Sequence, residues 1–328
     1  MANTKVGTVV CWRNSSSVLA GFRLMPQEGS RFPSYQAGQY IALRRNDCRL
    51  TKKVVRKDRT VEYVTLYDEK GNIKRGPVTH SYSIASAPFE TLEHGWLEFY
   101  VILEKDENGV LGRLTESMFR MDPERDNTLV YYDKIAGDFT LNKRADGMKN
   151  VVIVGTGTGI APFISMIKQL DHEAAKGETN GLRYTVLHTN RTYDELDYYR
   201  EFREIEKAGR FDFVYIPSVS RPMPRDLEDP TMGKGRANNL LRHILGMPLK
   251  EEEDLQKVAT DGRDNTKLKA ALDKTVRPFL PAQHPLKELE ARLDPATTVI
   301  ITCGNPWSME DIKHAAESNG MRFEKEDW

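Results

Sequence analysis

Gly155-Thr156-Gly157-Thr158-Gly159 follows the apolar run NVVIV and opens onto a stretch with helical spacing. Glycine lets backbone amides approach a pyrophosphate, and the free N–H groups at a helix start favour negative charge. Gly155, Thr156 and Gly157 are therefore candidate phosphate contacts. A tight strand-to-helix turn with no ligand is the other reading of the same loop. Fixed positive charge stands nearby in the pattern: Arg191 follows the run LRYTVLHT, Ser220-Arg221 follows FDFVYIPSV, and Gly235-Arg236 precedes ANNLLRHIL. Guanidinium groups suit bidentate contact with phosphate, although any one loop arginine by itself reads as a solvated charge. Cys303-Gly304-Asn305-Pro306 closes the apolar run TTVIIT, at the edge where open α/β sheets bind ligands. A lone cysteine in a sheet is more often packing.

These residues need two kinds of scaffold. Up to about residue 145 the chain reads as short strands broken by turns: KVGTVVCW, SVLAGFRL, QYIALR, RTVEYVTLY, HSYSIAS, WLEFYVILE and DNTLVYY are rich in Val, Ile, Tyr and Thr. That pattern predicts an antiparallel barrel. One short helix is expected at LTESMFRM, with Thr115 capping the first-turn amides. After Asp146-Gly147 the rhythm becomes strand, helix, strand, helix, which predicts a parallel sheet with crossover helices. In the first of these helices Ile160, Phe163, Ile164 and Ile167 share one face. The domains are expected at 1–145 and 146–328. A polar, poorly periodic stretch at about 247–293 is expected to be a surface insertion or lid.

The 328 residues exceed the size at which one core keeps growing, and 39% hydrophobic content can furnish two. The 48 basic and 48 acidic side chains cancel, which gives no general reason to expect nucleic acid or membrane as partner. The N-terminus lacks a signal-peptide apolar run and no stretch of eighteen apolar residues occurs, so a cytoplasmic protein is expected. Three scattered cysteines make no disulfide framework, zinc site or iron–sulfur site. Any electrons carried must reside on an organic cofactor.

Five segments, in order along nearly the whole chain, resemble those of the ferredoxin–NADP reductase family, in particular its bacterial ferredoxin/flavodoxin–NADP reductase branch. They are His80-Ser81-Tyr82-Ser83-Ile84-Ala85-Ser86, Gly112-Arg113-Leu114-Thr115, Gly137-Asp138-Phe139-Thr140-Leu141, the glycine loop running into Ile160-Ala161-Pro162-Phe163, and Cys303-Gly304-Asn305-Pro306. The resemblance implies an FAD-binding β-barrel followed by a Rossmann-like NADP(H)-binding α/β domain, and hydride transfer between nicotinamide C4 and flavin N5. It implies that His80, Ser81, Tyr82 and Ser83 bind FAD, with the Tyr82 ring on one face of the isoalloxazine and the Ser83 hydroxyl at N5. For the tetrapeptide alone, an ordinary strand with alternating faces remains the other reading. Gly112, Arg113, Leu114 and Thr115 would bind the FAD pyrophosphate. Cys303, Gly304, Asn305 and Pro306 would lie beside the nicotinamide, with Ser83, Cys303 and Tyr82 the catalytic trio. Arg191, Ser220, Arg221 and Arg236 would hold the 2′-phosphate. Family members often end in an aromatic residue that covers the flavin, so Trp328, or failing it Phe323, is expected there. The signature normally begins with arginine, and His80 stands in its place.

The segment 44–59, RRNDCRLTKKVVRKDR, holds eight basic residues against Asp47 and Asp58. The resemblance implies ferredoxin or flavodoxin as partner, and such a field would steer an acidic carrier. A solvated hairpin edge is the alternative. An oxygenase reductase component or free-flavin reductase, and a regulatory subunit that binds flavin or nucleotide without turnover, are the competing functions.

Overall fold

The computed structural model describes residues 3–56, 61–106, 109–260 and 264–326. The chain divides into two compact units, Met1–Asp138 and Phe139–Trp328. In the first unit lie β1 (Thr4–Asn14), β2 (Leu19–Met25), β3 (Tyr40–Arg49), β4 (Thr51–Val55), β5 (Val61–Thr65), β6 (Arg75–Ser83), α1 (Pro88–His94), β7 (Leu97–Ile102), α2 (Arg113–Phe119) and β8 (Thr128–Ala136). Six strands form one antiparallel sheet in the order β6-β3-β8-β1-β2-β7. Register breaks at Val9/Cys11 in β1 and at Arg45/Cys48 in β3 bend their strands, as bulges do. Just past β6, the Ala85 N–H donates to the Glu98 carbonyl of β7 at 2.8 Å. The two edge strands therefore meet at that end, and the sheet curls into a barrel. Alternate residues of its strands, among them Phe22, Leu24, Ile41, Leu43, Leu97, Phe99, Leu129 and Tyr131, fill the interior.

The second unit holds α3 (Leu141–Arg144), β9 (Asn150–Thr156), α4 (Ala161–Ala175), β10 (Arg183–Asn190), α5 (Tyr199–Ala208), β11 (Phe213–Val219), α6 (Pro224–Glu228), β12 (Gly233–Lys234), α7 (Ala237–Ile244), α8 (Lys250–Thr260), α9 (Thr266–Asp273), α10 (Leu286–Glu290), β13 (Thr298–Cys303), α11 (Pro306–Ser318) and β14 (Arg322–Lys325). All its paired strands run parallel, in the order β12-β11-β10-β9-β13-β14. Every residue of β13 is buried, as befits a strand covered on both faces. The barrel followed by a parallel α/β sheet is the fold class expected from the sequence. Helix α3 belongs to the second unit, which begins at Phe139 rather than at the expected 146, and its Arg144 pairs with Glu324 at 2.9 Å.

The segment 247–293 is tied into the sheet rather than lying loosely on it. Lys234 of β12 and Phe279 exchange backbone hydrogen bonds of 2.9 and 3.0 Å. Buried Arg292 reaches the Tyr184 carbonyl of β10 at 3.0 Å, and His284 meets Glu206 of α5 at 3.0 Å. Fully buried Arg242 of α7 binds Asp311 of α11 and reaches Glu253 of α8 at 2.7 Å. Between these ties the segment is largely exposed: α9 buries no residue and α8 buries only Glu251.

Candidate functional site

The glycine loop is built by packing before it is built for a ligand. A Cβ on Gly155 would lie 2.6 Å from Ile160 Cδ1, one on Gly159 would lie 2.3 Å from the Cys303 carbonyl oxygen, and one on Gly304 would lie 2.2 Å from Thr156 Oγ1. Those glycines let the loop after β9 sit against the loop after β13. Gly157 differs: its φ is +57°, and the nearest atom to its missing Cβ is Asn190 Oδ1 at 3.9 Å. This is the loop residue with room beside its backbone. Gly157–Ile160 form a single 3-10 turn before α4 begins at Ala161.

Ser220 and Arg221 follow β11, Arg191 follows β10, and Gly235-Arg236 follows β12, so three neighbouring parallel strands deliver the expected arginines to the same end of the sheet. The Arg221 N–H donates to the Arg191 carbonyl at 2.8 Å and the Gly235 N–H to the Val219 carbonyl at 3.0 Å. Their guanidinium groups are unequal. Arg191 donates through Nε to Glu195 at 2.9 Å and through a second nitrogen to the other carboxylate oxygen. Arg236 reaches Glu251 at 3.2 Å. Arg221 is exposed. Sequence reading missed Glu195 and Asn190, whose side-chain amide donates to the Glu195 carbonyl. The four-residue step from Arg191 to Glu195 was the available signal.

Cys303 is fully buried, and its thiol donates to Glu326 Oε2 at 3.3 Å. Glu326 was not anticipated. It reaches the cysteine because β14 runs parallel to β13, and its own N–H donates to the Thr302 carbonyl at 3.1 Å. Asn305 caps α11, accepting from Trp307 N and Ser308 N, while the Asn305 N–H donates to Thr156 Oγ1 at 3.2 Å. Pro306 is the first residue of α11 and is exposed.

In the first unit, His80, Ser81, Tyr82 and Ser83 lie on β6, an edge strand, opposite Leu43, Ala42, Ile41 and Tyr40. His80 and Ser81 reach solvent, Ser83 is buried, and half-buried Tyr82 packs on the barrel core. Burial pushes the Tyr82 phenol well above its ordinary value, so it stays protonated and can donate a hydrogen bond. The structure brings Arg113 into electrostatic reach of His80: desolvation, and next the Arg113 charge, move the imidazole below its ordinary value. The imidazole on β6 and the guanidinium at the start of α2 thus form a pair of the chemistry that phosphates require.

One expectation for the second segment needs correction. Thr115 does not cap α2; the cap is Gly112, and the Thr115 hydroxyl donates back to the Gly112 carbonyl at 3.4 Å. The Leu114 side chain is buried in the barrel core, which leaves its backbone alone to meet a ligand.

Segment 44–59 is less of a field than its composition suggested. Arg45 and Arg49 are buried: Arg45 holds Asp126 at 2.5 Å and Arg49 holds Glu116 at 3.2 Å. Arg56 pairs with Glu62. Lys52 and Lys53 are left exposed on the β4–β5 hairpin, and Lys57, Asp58 and Arg59 lie outside the described residues. Trp328 does so too. Phe323 is half-buried and packs on the core of the second unit, paired with Ile300. Among the described residues no cluster of His, Cys, Asp or Glu could hold a metal ion, and no helix is long and apolar enough to cross a membrane.

Residues 153–257 match the model of the oxidoreductase NAD-binding domain. A flavohemoprotein of Bacillus cereus is 25% identical over 230 residues, covering 62% of this chain and 48% of that protein, so the chain spans about half the length of the curated relatives it matches. A flavodoxin/ferredoxin–NADP reductase of Buchnera aphidicola is 28% identical over 129 residues, 39% of this chain and 45% of that one. Among solved structures, a ferredoxin–NADP+ reductase from Neisseria gonorrhoeae with bound FAD and NADP aligns with a TM-score of 0.58 at 18% identity, covering 99% of both chains. The resemblance read from the sequence therefore holds: this chain has the fold of the ferredoxin–NADP reductase family, with an oxidoreductase NAD-binding domain in its second unit.

Proposed function

We propose that the chain is an FAD-dependent oxidoreductase that moves electrons between NADP(H) and a small one-electron carrier protein, ferredoxin or flavodoxin. The observation that carries this reading is the gathering of Gly157, Arg191, Arg221 and Arg236 at one end of a parallel sheet whose neighbouring loop presents Cys303-Gly304. His80, Ser81, Tyr82, Ser83, Gly112, Arg113, Leu114 and Thr115 would hold FAD. Held by those residues, FAD would supply the exchange between two-electron hydride chemistry with nicotinamide and single-electron transfer to a carrier. The work of the chain is binding and orientation. Gly157 admits the pyrophosphate, the arginines hold the 2′-phosphate, Tyr82 offers its ring, and the Ser83 hydroxyl serves a ring nitrogen. Trp328, the last residue, is proposed to cover the flavin. Lys52 and Lys53, exposed on the β4–β5 hairpin, would meet an acidic carrier.

A second reading, a reductase component that serves an oxygenase or reduces free flavin, is supported by a fold shared with the ferredoxin reductase in carbazole 1,9a-dioxygenase. The test is a visible spectrum of the chain reconstituted with FAD. A flavin band bleached anaerobically by NADPH, followed by reduction of added ferredoxin or flavodoxin, supports the proposal. Failure to take up FAD, or a band that NADPH leaves unchanged, removes it. Bleaching with no carrier reduced moves the acceptor to the second reading.

A further inference from the structure

Trp307 is 87% exposed, the most exposed large apolar side chain among the described residues. An indole left in water forgoes the burial that most tryptophans obtain. Its backbone, in contrast, is fixed. Trp307 is the second residue of α11, and its N–H donates to Asn305 Oδ1 at 3.0 Å, while the Asn305 N–H donates to Thr156 Oγ1 of the glycine loop at 3.2 Å. The close approaches of Gly304 to Thr156 and Gly159 to Cys303 lock the same two loops together. A flat, amphipathic ring thus stands on a rigid base beside the glycine loop.

Strand order says which half of a dinucleotide it would meet. The chain runs from β9 outward through β10, β11 and β12, then returns to place β13 on the other side of β9. The crevice at such a reversal is where open parallel sheets bind ligands. Arg191, Arg221 and Arg236 follow β10, β11 and β12, and Gly157 follows β9. A dinucleotide with its 2′-phosphate on the arginines and its pyrophosphate at Gly157 must extend its other half toward the loop after β13. Trp307 stands on that loop's helix.

On the reading that the second unit binds NADP(H), we propose that Trp307 is a binding residue for the nicotinamide half of the coenzyme, offering its indole face to the ring. Stacking of a heteroaromatic ring on an aromatic side chain strengthens binding by roughly five- to a hundredfold. The holoenzyme and its Trp307→Ala and Trp307→Phe variants would be titrated with NADP+ and with 2′,5′-ADP, which keeps the phosphate-bearing adenosine half and lacks nicotinamide. Trp307→Ala should weaken NADP+ by about tenfold, leave 2′,5′-ADP within about twofold, and reduce the quenching of tryptophan emission by NADP+; Trp307→Phe should retain most of the affinity. Equal weakening of both ligands, or no change in either, overturns the proposal. So does unchanged nucleotide binding with slowed reduction of a carrier protein, which would make Trp307 a docking residue. A parent protein that binds neither ligand refutes the NADP(H) reading itself.

Discussion

Coenzyme choice should rest unequally on two arginines. Arg191 has two guanidinium nitrogens engaged by Glu195, whose side chain is 8% exposed, whereas Arg221 is exposed with its N–H anchored to the Arg191 carbonyl. A charge-assisted contact contributes about 1.5–3 kcal/mol, roughly a 10- to 150-fold change in affinity. Arg221→Ala should therefore weaken NADPH toward the upper part of that range and leave NADH nearly unchanged. Arg191→Ala should fall toward the lower part, because Glu195 already offsets much of its charge. It should also lower thermal stability, since it strands a buried carboxylate. Steady-state kcat/KM for both coenzymes, with melting curves for each variant, reads these effects separately. Equal efficiency of the parent with NADPH and NADH, or an Arg221→Ala variant that loses both coenzymes alike, would refute the reasoning.

Burial holds His188, whose Nδ1 meets the Tyr215 hydroxyl at 3.0 Å, down to about 3; the unfolded chain binds the extra proton below about pH 6.5, so stability should fall by about 1.4 kcal/mol per unit as pH drops from there toward 3. Urea titrations at pH 6.5 and 4.5 should show about 2.3 kcal/mol of this loss removed by His188→Leu, and a constant difference between parent and variant would contradict it. Because His80 lies below its ordinary value, its help to an FAD phosphate should appear as tighter FAD binding below about pH 6.5 and be absent from pH 7 to 8.5. His80→Arg should abolish that rise, and an FAD dissociation constant flat from pH 5 to 7 would count against a phosphate role. Reversing charge at Lys52 and Lys53 should slow reduction of an acidic carrier at low salt while sparing NADPH-to-ferricyanide turnover, an assignment lost if carrier kinetics do not change.

Local chemistry fixed much of this protein before any folding is considered. Alternating Val, Ile and Tyr before residue 138 specify strands with one buried face, and the apolar runs NVVIV and TTVIIT can only be strands covered on both sides. The positions of Gly155 to Gly159, of Cys303-Gly304 and of the three arginines after their strands were likewise legible, because glycine, cysteine and arginine carry their chemistry in the residue type. Partnership was not legible. Arg45 and Arg49 counted as surface charge until β3 turned them onto Asp126 and Glu116, 81 and 67 residues away in sequence. Phe323 looked like part of a tail until β14 paired with β13, and the same pairing set Glu326 against Cys303. Segment 247–293 read as a surface insertion or lid, and its ties to the sheet, Arg292 on Tyr184 and Phe279 on Lys234, could not be read from composition. Such ties, like the order that places β13 on the far side of β9 from the arginines, join residues distant along the chain. A charge or a glycine announces what it can do, but tertiary packing decides which atom it meets.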